Sequence, residues 1–263
     1  MTFSTGHTVV NAIIIVGLCV GLSLSVLWLV RRSVSPEYLK LHNEIGGIVY
    51  AVVGVIYGIV LGLSVVGVWD GYRSAEENAN SEANAVGNVY RIAGGLPDPA
   101  GQMIRQSVLA YASTVVDDEW PAMRRGDSSG SQSQPALDVL WTAFYSAEVS
   151  NPRDQDLYAS GLDQLESLSA DRQERLFQSE GGLLGIMWAV VIGGAVITVL
   201  FPCLFGAENG VVHAIVIATL ALTLGLPLYL VNDVNGPFRG TVHVEPDGLR
   251  HILAQFGGAP APD

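Results

Sequence analysis

The chain has 263 residues, with 25 acidic and 13 basic side chains, a formal net charge of −12 and two cysteines. An acidic balance argues against nucleic acid as a partner, because binding there depends on neutralising phosphates. Cys19 and Cys203 both lie in apolar stretches, so neither a disulfide framework nor a thiolate zinc site is proposed for the soluble part.

Hydrophobic residues form 49% of the chain and charged residues 14%. They are not mixed evenly. Four apolar runs cover approximately 8–30, 45–69, 183–206 and 210–231. A helix rises about 1.5 Å per residue and a bilayer core of about 30 Å needs about 20 apolar residues, so each run is long enough to span. The pattern predicts an all-α membrane protein: four transmembrane helices with a helical soluble insert between spans two and three. Residues 1–73 form the first transmembrane hairpin, 74–182 the acidic insert, 183–231 the second hairpin and 232–263 a polar C-terminal tail.

The first run lacks a basic segment before it and ends on Arg31 and Arg32 rather than a small-residue cleavage site. That predicts a retained helix and not a signal peptide. The connection over 31–44 contains Pro36 as a turn signal, and the second span opens His42-Asn43-Glu44-Ile45-Gly46-Gly47. Glu44 is the ionisable group nearest that opening. It reads either as an interfacial helix-start carboxylate favoured by the backbone dipole or as a group facing an ion path. Asn43 beside it joins the ion-pathway or gating candidates.

Further along, Gly54, Gly58 and Gly62 form two overlapping G-x-x-x-G motifs, and Gly47 and Ala51 continue nearly the same face. Small residues let backbones approach closely, which suits a helix–helix seam; the same stripe suits a pore lining, and the sequence leaves both open. Trp69, Asp70, Tyr72 and Arg73 mark the far boundary, with aromatic anchors and an Asp70–Arg73 spacing that allows a pair on one helix.

Residues 70–182 hold 18 acidic and 8 basic residues, hence ten of the twelve net negative charges. Over 74–92, Ala75, Ala79, Ala83, Val86 and Tyr90 recur on one helical face, so the second span continues beyond the bilayer until Gly94-Gly95-Leu96-Pro97 stops it. Helices follow over 102–120, with Met103, Val108, Tyr111 and Val115 as apolar contacts, over 136–147 with Leu140 and Phe144, and over 154–177 with Leu162, Leu165, Leu168 and Leu176. The segment GDSSGSQSQP at 126–135 reads as a flexible loop, because its small polar residues bury too little to offset ordering.

The second hairpin turns over 207–209. Pro202 either kinks the third span or lies in its last turn. His213 suits an interhelical hydrogen bond. Pro227 precedes the turn-rich strip Asn232-Asp233-Val234-Asn235-Gly236-Pro237-Phe238-Arg239-Gly240, where Asp233 and Arg239 suit either a surface salt bridge or a gate contact. Basic residues near helix ends number three on one side (Arg31, Arg32, Lys40) and five on the other (Arg73, Arg172, Arg175, Arg239, Arg250). By the positive-inside tendency the insert and both termini are read as cytoplasmic.

No zincin, phosphate-loop, nucleotide-binding or nucleophile-elbow motif is present, and His243 and His251 lie too loosely among Glu245 and Asp247 for a metal site. The sequence therefore predicts no enzyme, no cofactor and no metal.

The stretch HNEIGGIVYAVVGVIYGIVLGLSVVGVWDGYRSAEENANSEANAVGNVYR at 42–91, with NDVNGPFRG at 232–240 and VEPDGL at 244–249, resembles a bacterial four-span membrane family with a bestrophin-like domain. The resemblance implies an oligomeric ion channel with a long intracellular portion between pairs of membrane segments. No segment matches a bestrophin's aromatic neck or acidic calcium clasp, so the resemblance implies neither anion selectivity nor calcium activation. The expectation is a homo-oligomer in the bacterial inner membrane that passes small inorganic ions passively, its cytoplasmic helices forming a vestibule. The polar candidates are Asn43, Glu44, Asp70, Asp233 and Arg239; Gly47, Ala51, Gly54, Gly58 and Gly62 pack helices or line the path. The alternative is a membrane scaffold whose insert recruits a protein partner.

Overall fold

A computed structural model describes residues 5–257. Among them every regular element is helical: α1 (Thr5–Ser33), α2 (Pro36–Lys40), α3 (Asn43–Ala93), α4 (Ala100–Thr114), α5 (Trp120–Arg124), α6 (Gln134–Tyr145), α7 (Pro152–Glu180), α8 (Gly185–Leu200), α9 (Gly210–Val234) and α10 (Asp247–Phe256). The chain divides into two compact units, Met1–Asp70 with Leu183–Asn235, and Gly71–Gly182 with Gly236–Asp263.

The first unit holds α1, α2, the first half of α3, α8 and α9. Four helices, α1, α3, α8 with its following turn, and α9, are long and apolar enough to cross a membrane. They bury little of that surface inside the chain. Ile13, Ile45, Ile186 and Val211 are each about two-thirds exposed or more, at 65%, 71%, 73% and 69%. A surface so apolar is stable only against lipid or another apolar surface. Inside, α1 lies along α9, with Leu27, Cys203 and Ile217 buried together. A second cluster joins Tyr57, Leu61, Val191 and Ala195. There the Tyr57 ring occupies the space a Cβ on Gly194 would need, and its hydroxyl donates to the Val191 carbonyl at 3.0 Å. Pro202 falls in a 3-10 turn over Phe201–Leu204 that closes α8, whereas Pro227 lies within α9.

The second unit is built on the last part of α3, whose small side chains make room for neighbours. Ala75, Ala79, Ala83 and Val86 are buried, and Tyr90 stacks on Phe256 at 4.3 Å. A Cβ on Gly248 would stand 2.8 Å from the Ala83 Cβ, and one on Gly87 2.9 Å from Ile252 Cδ1. Glycines at these close approaches let α10 dock on α3. Trp120 fixes the segment before α10 by donating to the Val244 carbonyl at 3.0 Å, with Phe238 edge-on at 5.5 Å.

Three sequence expectations change. The helix expected over 102–120 starts at Ala100 and widens into a π-turn over Val115–Glu119. Its buried face carries Ile104, Val108 and Tyr111 while Met103 is exposed, because Ile104, not Met103, stands four residues before Val108 and seven before Tyr111. The 126–135 loop is held in place: Gly130 accepts from Arg172 Nη2 at 2.6 Å and Ser133 is buried. Arg73 pairs with Glu77 one turn on, at 3.4 Å, rather than with Asp70.

Candidate functional site

Within the first unit, the opening turn of α3 is tied to the α8–α9 connection. The Asn43 side chain clasps Gly206 in both directions, Nδ2 donating to its carbonyl and Oδ1 accepting from its N–H, each at 2.9 Å. Such a reciprocal pair satisfies two backbone groups that a connection would otherwise leave to solvent. Tyr50 is stacked with Phe201 and meets Phe205 edge-on, both at 5.9 Å. From α1, Arg31 Nη2 donates to the Ala207 carbonyl at 3.3 Å. Its Nη1 stands 3.4 Å from His213 Nδ1, and His213 Nε2 stands 3.0 Å from the Pro202 carbonyl. These partners suit an imidazole protonated at Nε2, accepting at one nitrogen and donating at the other. Lys40 pairs with Glu208 at 2.6 Å.

Glu44 sits beside this clasp, exposed, and among the described residues no cation lies within ion-pair distance of it. A free carboxylate at the mouth of an apolar helix is electrostatically available to a passing cation or a neighbouring chain.

The small-residue stripe is open. Side chains built on Gly47, Gly54, Gly58 and Gly62 would meet nothing within 4 Å, and Ala51 is exposed. The inward face of this half of α3 is instead Tyr57, Leu61, Ser64 and Val68. Gly58 and Gly62 border a groove whose other walls are Leu61, Val65, Leu226, Pro227 and Leu230. Among the described residues the stripe is therefore no seam.

Glu44 and Asp70 lie 26 residues apart on one continuous helix, about 39 Å at about 1.5 Å per residue, so they occupy opposite ends of a bilayer-sized length. Asp233 stands in the last turn of α9. Arg239, in the second unit, donates from Nη2 to the Ser179 carbonyl at 2.8 Å, which ties the segment before α10 to the end of α7.

The second unit holds a polar centre that residue patterning alone passed over. Arg175 is fully buried; its Nε and Nη2 both donate to Glu82, the latter at 3.0 Å, and Nη2 also reaches Glu119 at 2.7 Å. Its guanidinium lies 4.9 Å from the Trp120 ring centre. Arg172 bonds Glu119 at 3.1 Å and Ser133 at 3.0 Å. Ser133 in turn donates to Glu119 at 2.6 Å, and Tyr111 donates to Glu82 at 2.6 Å. Two acids and two guanidiniums balance, and each is hydrogen-bonded, which is the condition for burying charge at all. Burial pushes the Glu119 carboxyl up, but Arg175, Ser133 and Arg172 outweigh it and hold the group below its usual range. Burial, then Glu82, push the Tyr111 phenol far upward.

The signal for this centre was present. Glu82 lies three residues after Ala79 and four before Val86, on the small-residue face. Arg172 and Arg175 extend the Leu165–Leu168 face of α7 by one and two turns. Of the acids at 117, 118 and 119, only Glu119 is buried, at the end of the π-turn.

A profile of the bestrophin-like domain matches residues 17–249. No curated protein sequence is significantly similar to the chain. In structure it is similar to a point variant of a bacterial bestrophin homologue from Klebsiella pneumoniae, with a TM-score of 0.69 at 13% identity, covering 95% of this chain and 100% of that one. It is also similar to a variant of a membrane protein, with a TM-score of 0.68 at 12% identity over 95% of this chain and 99% of that one. A second variant of the Klebsiella homologue gives a TM-score of 0.62 at 14% identity, over 81% and 88%. At these identities the likeness is one of fold.

Proposed function

The chain belongs to the bestrophin-like family, and from that premise we propose that it forms a homo-oligomeric channel passing small inorganic ions down their gradient. The observation that carries the reading is the uncovered stripe Gly47–Gly54–Gly58–Gly62 on α3. In a lone protomer such a face is left bare among apolar helices. Around a central axis it brings α3 helices close or lines the space between them, with Glu44 at one end and Asp70 at the other.

We place the four apolar helices across the bacterial inner membrane, with the acidic insert and both termini on the cytoplasmic side. Glu44, Asp70 and Asp233 then supply negative potential at the two mouths, while Arg239 holds the segment before α10. Asn43 acts by positioning, since its clasp on Gly206 sets the first turn of α3. The reading is of a conduit and not of an enzyme.

The test is single-channel recording from purified chain in planar bilayers under asymmetric KCl, with Glu44→Gln alongside. Discrete currents whose reversal potential shifts in the variant support the channel and assign its ion preference. Silence from inserted, intact oligomers across voltage, pH and calcium rejects it, and moves weight to recruitment of a protein by the insert.

A further inference from the structure

At the C-terminal end of α1, the Arg32 guanidinium stands over the Trp28 ring, its carbon 5.4 Å from the ring centre. Trp28 is 61% exposed and borders an open groove with Leu24, Ser25 and Leu29. We propose that this place binds one anionic phospholipid, with Arg32 taking the headgroup phosphate and the groove taking the first part of an acyl chain.

The charge is available. Among the described residues neither Arg31 nor Arg32 has a carboxylate within ion-pair distance, whereas nearby Lys40 is already paired with Glu208. Arg31 is spent on the Ala207 carbonyl and His213, but its positive charge is not cancelled by them. A cation–π contact with the indole restricts the Arg32 guanidinium while leaving N–H groups able to grip a phosphate with two bonds.

The depth also fits. The candidate span runs Val10–Ser33, so Arg32 stands at headgroup level. The groove residues lie 3 to 8 positions before it, about 5–12 Å deeper at about 1.5 Å per residue, where acyl chains begin. A cationic donor above an apolar slot matches a molecule that carries both an anionic head and an acyl chain. A soluble phosphate would use the cation and leave the groove empty. The proposal rests on α1 spanning the membrane, and not on ion conduction.

The experiment reconstitutes the full chain into phosphatidylcholine vesicles containing phosphatidylglycerol, with brominated acyl chains on one lipid or the other. The Trp28 signal is the fluorescence lost in Trp28→Phe. Brominated phosphatidylglycerol is expected to quench it several-fold more than brominated phosphatidylcholine at equal mole fraction. Arg32→Gln should remove that preference with helical content and elution unchanged, and added inorganic phosphate should not compete. Equal quenching by both lipids overturns the proposal, as does an unchanged preference in Arg32→Gln. Competition by phosphate overturns it in favour of a free-anion site. No quenching of Trp28 in an inserted chain also overturns it, because the groove is then covered by protein. Carbonate-resistant flotation with the vesicles checks the span separately: its loss removes the membrane reading itself.

Discussion

Arg175 on α7 and Glu82 on α3, 93 residues apart in sequence, meet through two hydrogen bonds with neither side chain reaching solvent. This pair joins the helix that continues from the second apolar run to the helix that leads into the third. Glu119 and Arg172 complete the charge balance and bring the 126–133 loop with them.

Removing one member strands its partner in the core. Arg175→Met should therefore lower stability by about 3–5 kcal/mol, the range for breaking a buried pair from one side. A urea titration followed by the tryptophan signal reads it. Adding Glu82→Gln to Arg175→Met should recover part of the loss, since the stranded charge is gone. A double variant no better than the single one argues against Glu82 as the stranded group.

The same centre sets an acid limit. The folded carboxyl of Glu119 sits below its ordinary value of 4.5, so folding binds fewer protons there than the unfolded chain does. Its contribution is complete above about pH 4.5 and is lost as pH falls through the lower folded value. Glu119→Gln should be less stable at neutral pH and show a flatter decline through that acid window. A decline as steep as that of the natural chain would assign acid sensitivity to other carboxyls.

Glycines at two positions should behave in opposite ways. Gly194→Ala drives a methyl into the Tyr57 ring and should cost about 1–3 kcal/mol, as overpacking does. Gly58→Leu meets open space in the protomer, so helical content should be retained while the proposed oligomer is lost. Light scattering on the detergent-solubilised protein separates the two. An unchanged oligomer in Gly58→Leu would take the stripe away from subunit contact.

Neighbours at the mouth of α3 should also separate. Asn43→Ala leaves the Gly206 N–H and carbonyl without their partners and should lower stability by about 1–3 kcal/mol. Glu44→Gln, at an exposed position with no ion-pair partner among the described residues, should stay within about 0.5 kcal/mol and shift only the reversal potential. Thermal unfolding by circular dichroism beside bilayer recording checks both halves.

Much of the architecture was legible because it depends on chain-local quantities. Length and apolarity marked the four runs, and spacing placed Ala75, Ala79, Ala83 and Val86 inward. Gly94 and Pro97 ended α3 near where such residues must. Polar-site assignments were harder. Asn43 reads in the sequence as an ion-pathway candidate, and only the tertiary structure adds its clasp on the Gly206 backbone. Met103 looked inward and its neighbour Ile104 is, a one-residue rotation that a helix resolves only when its partner is present. The polar 126–135 loop looked free, yet Arg172 reaches it from a helix some forty residues later.

The sequence by itself determined that the chain is helical, that four stretches prefer an apolar medium and that its negative charge gathers between them. Those follow from transfer free energy and helical period, which each segment carries alone. Only the tertiary structure decided which charges are buried, which glycines are filled and which are bare. Burial of Glu82 is tolerable because Arg175 arrives from 93 residues away and Tyr111 from 29, and Gly194 is packed because Tyr57 lies against it. Such pairings are properties of two surfaces meeting, and no single segment records its partner.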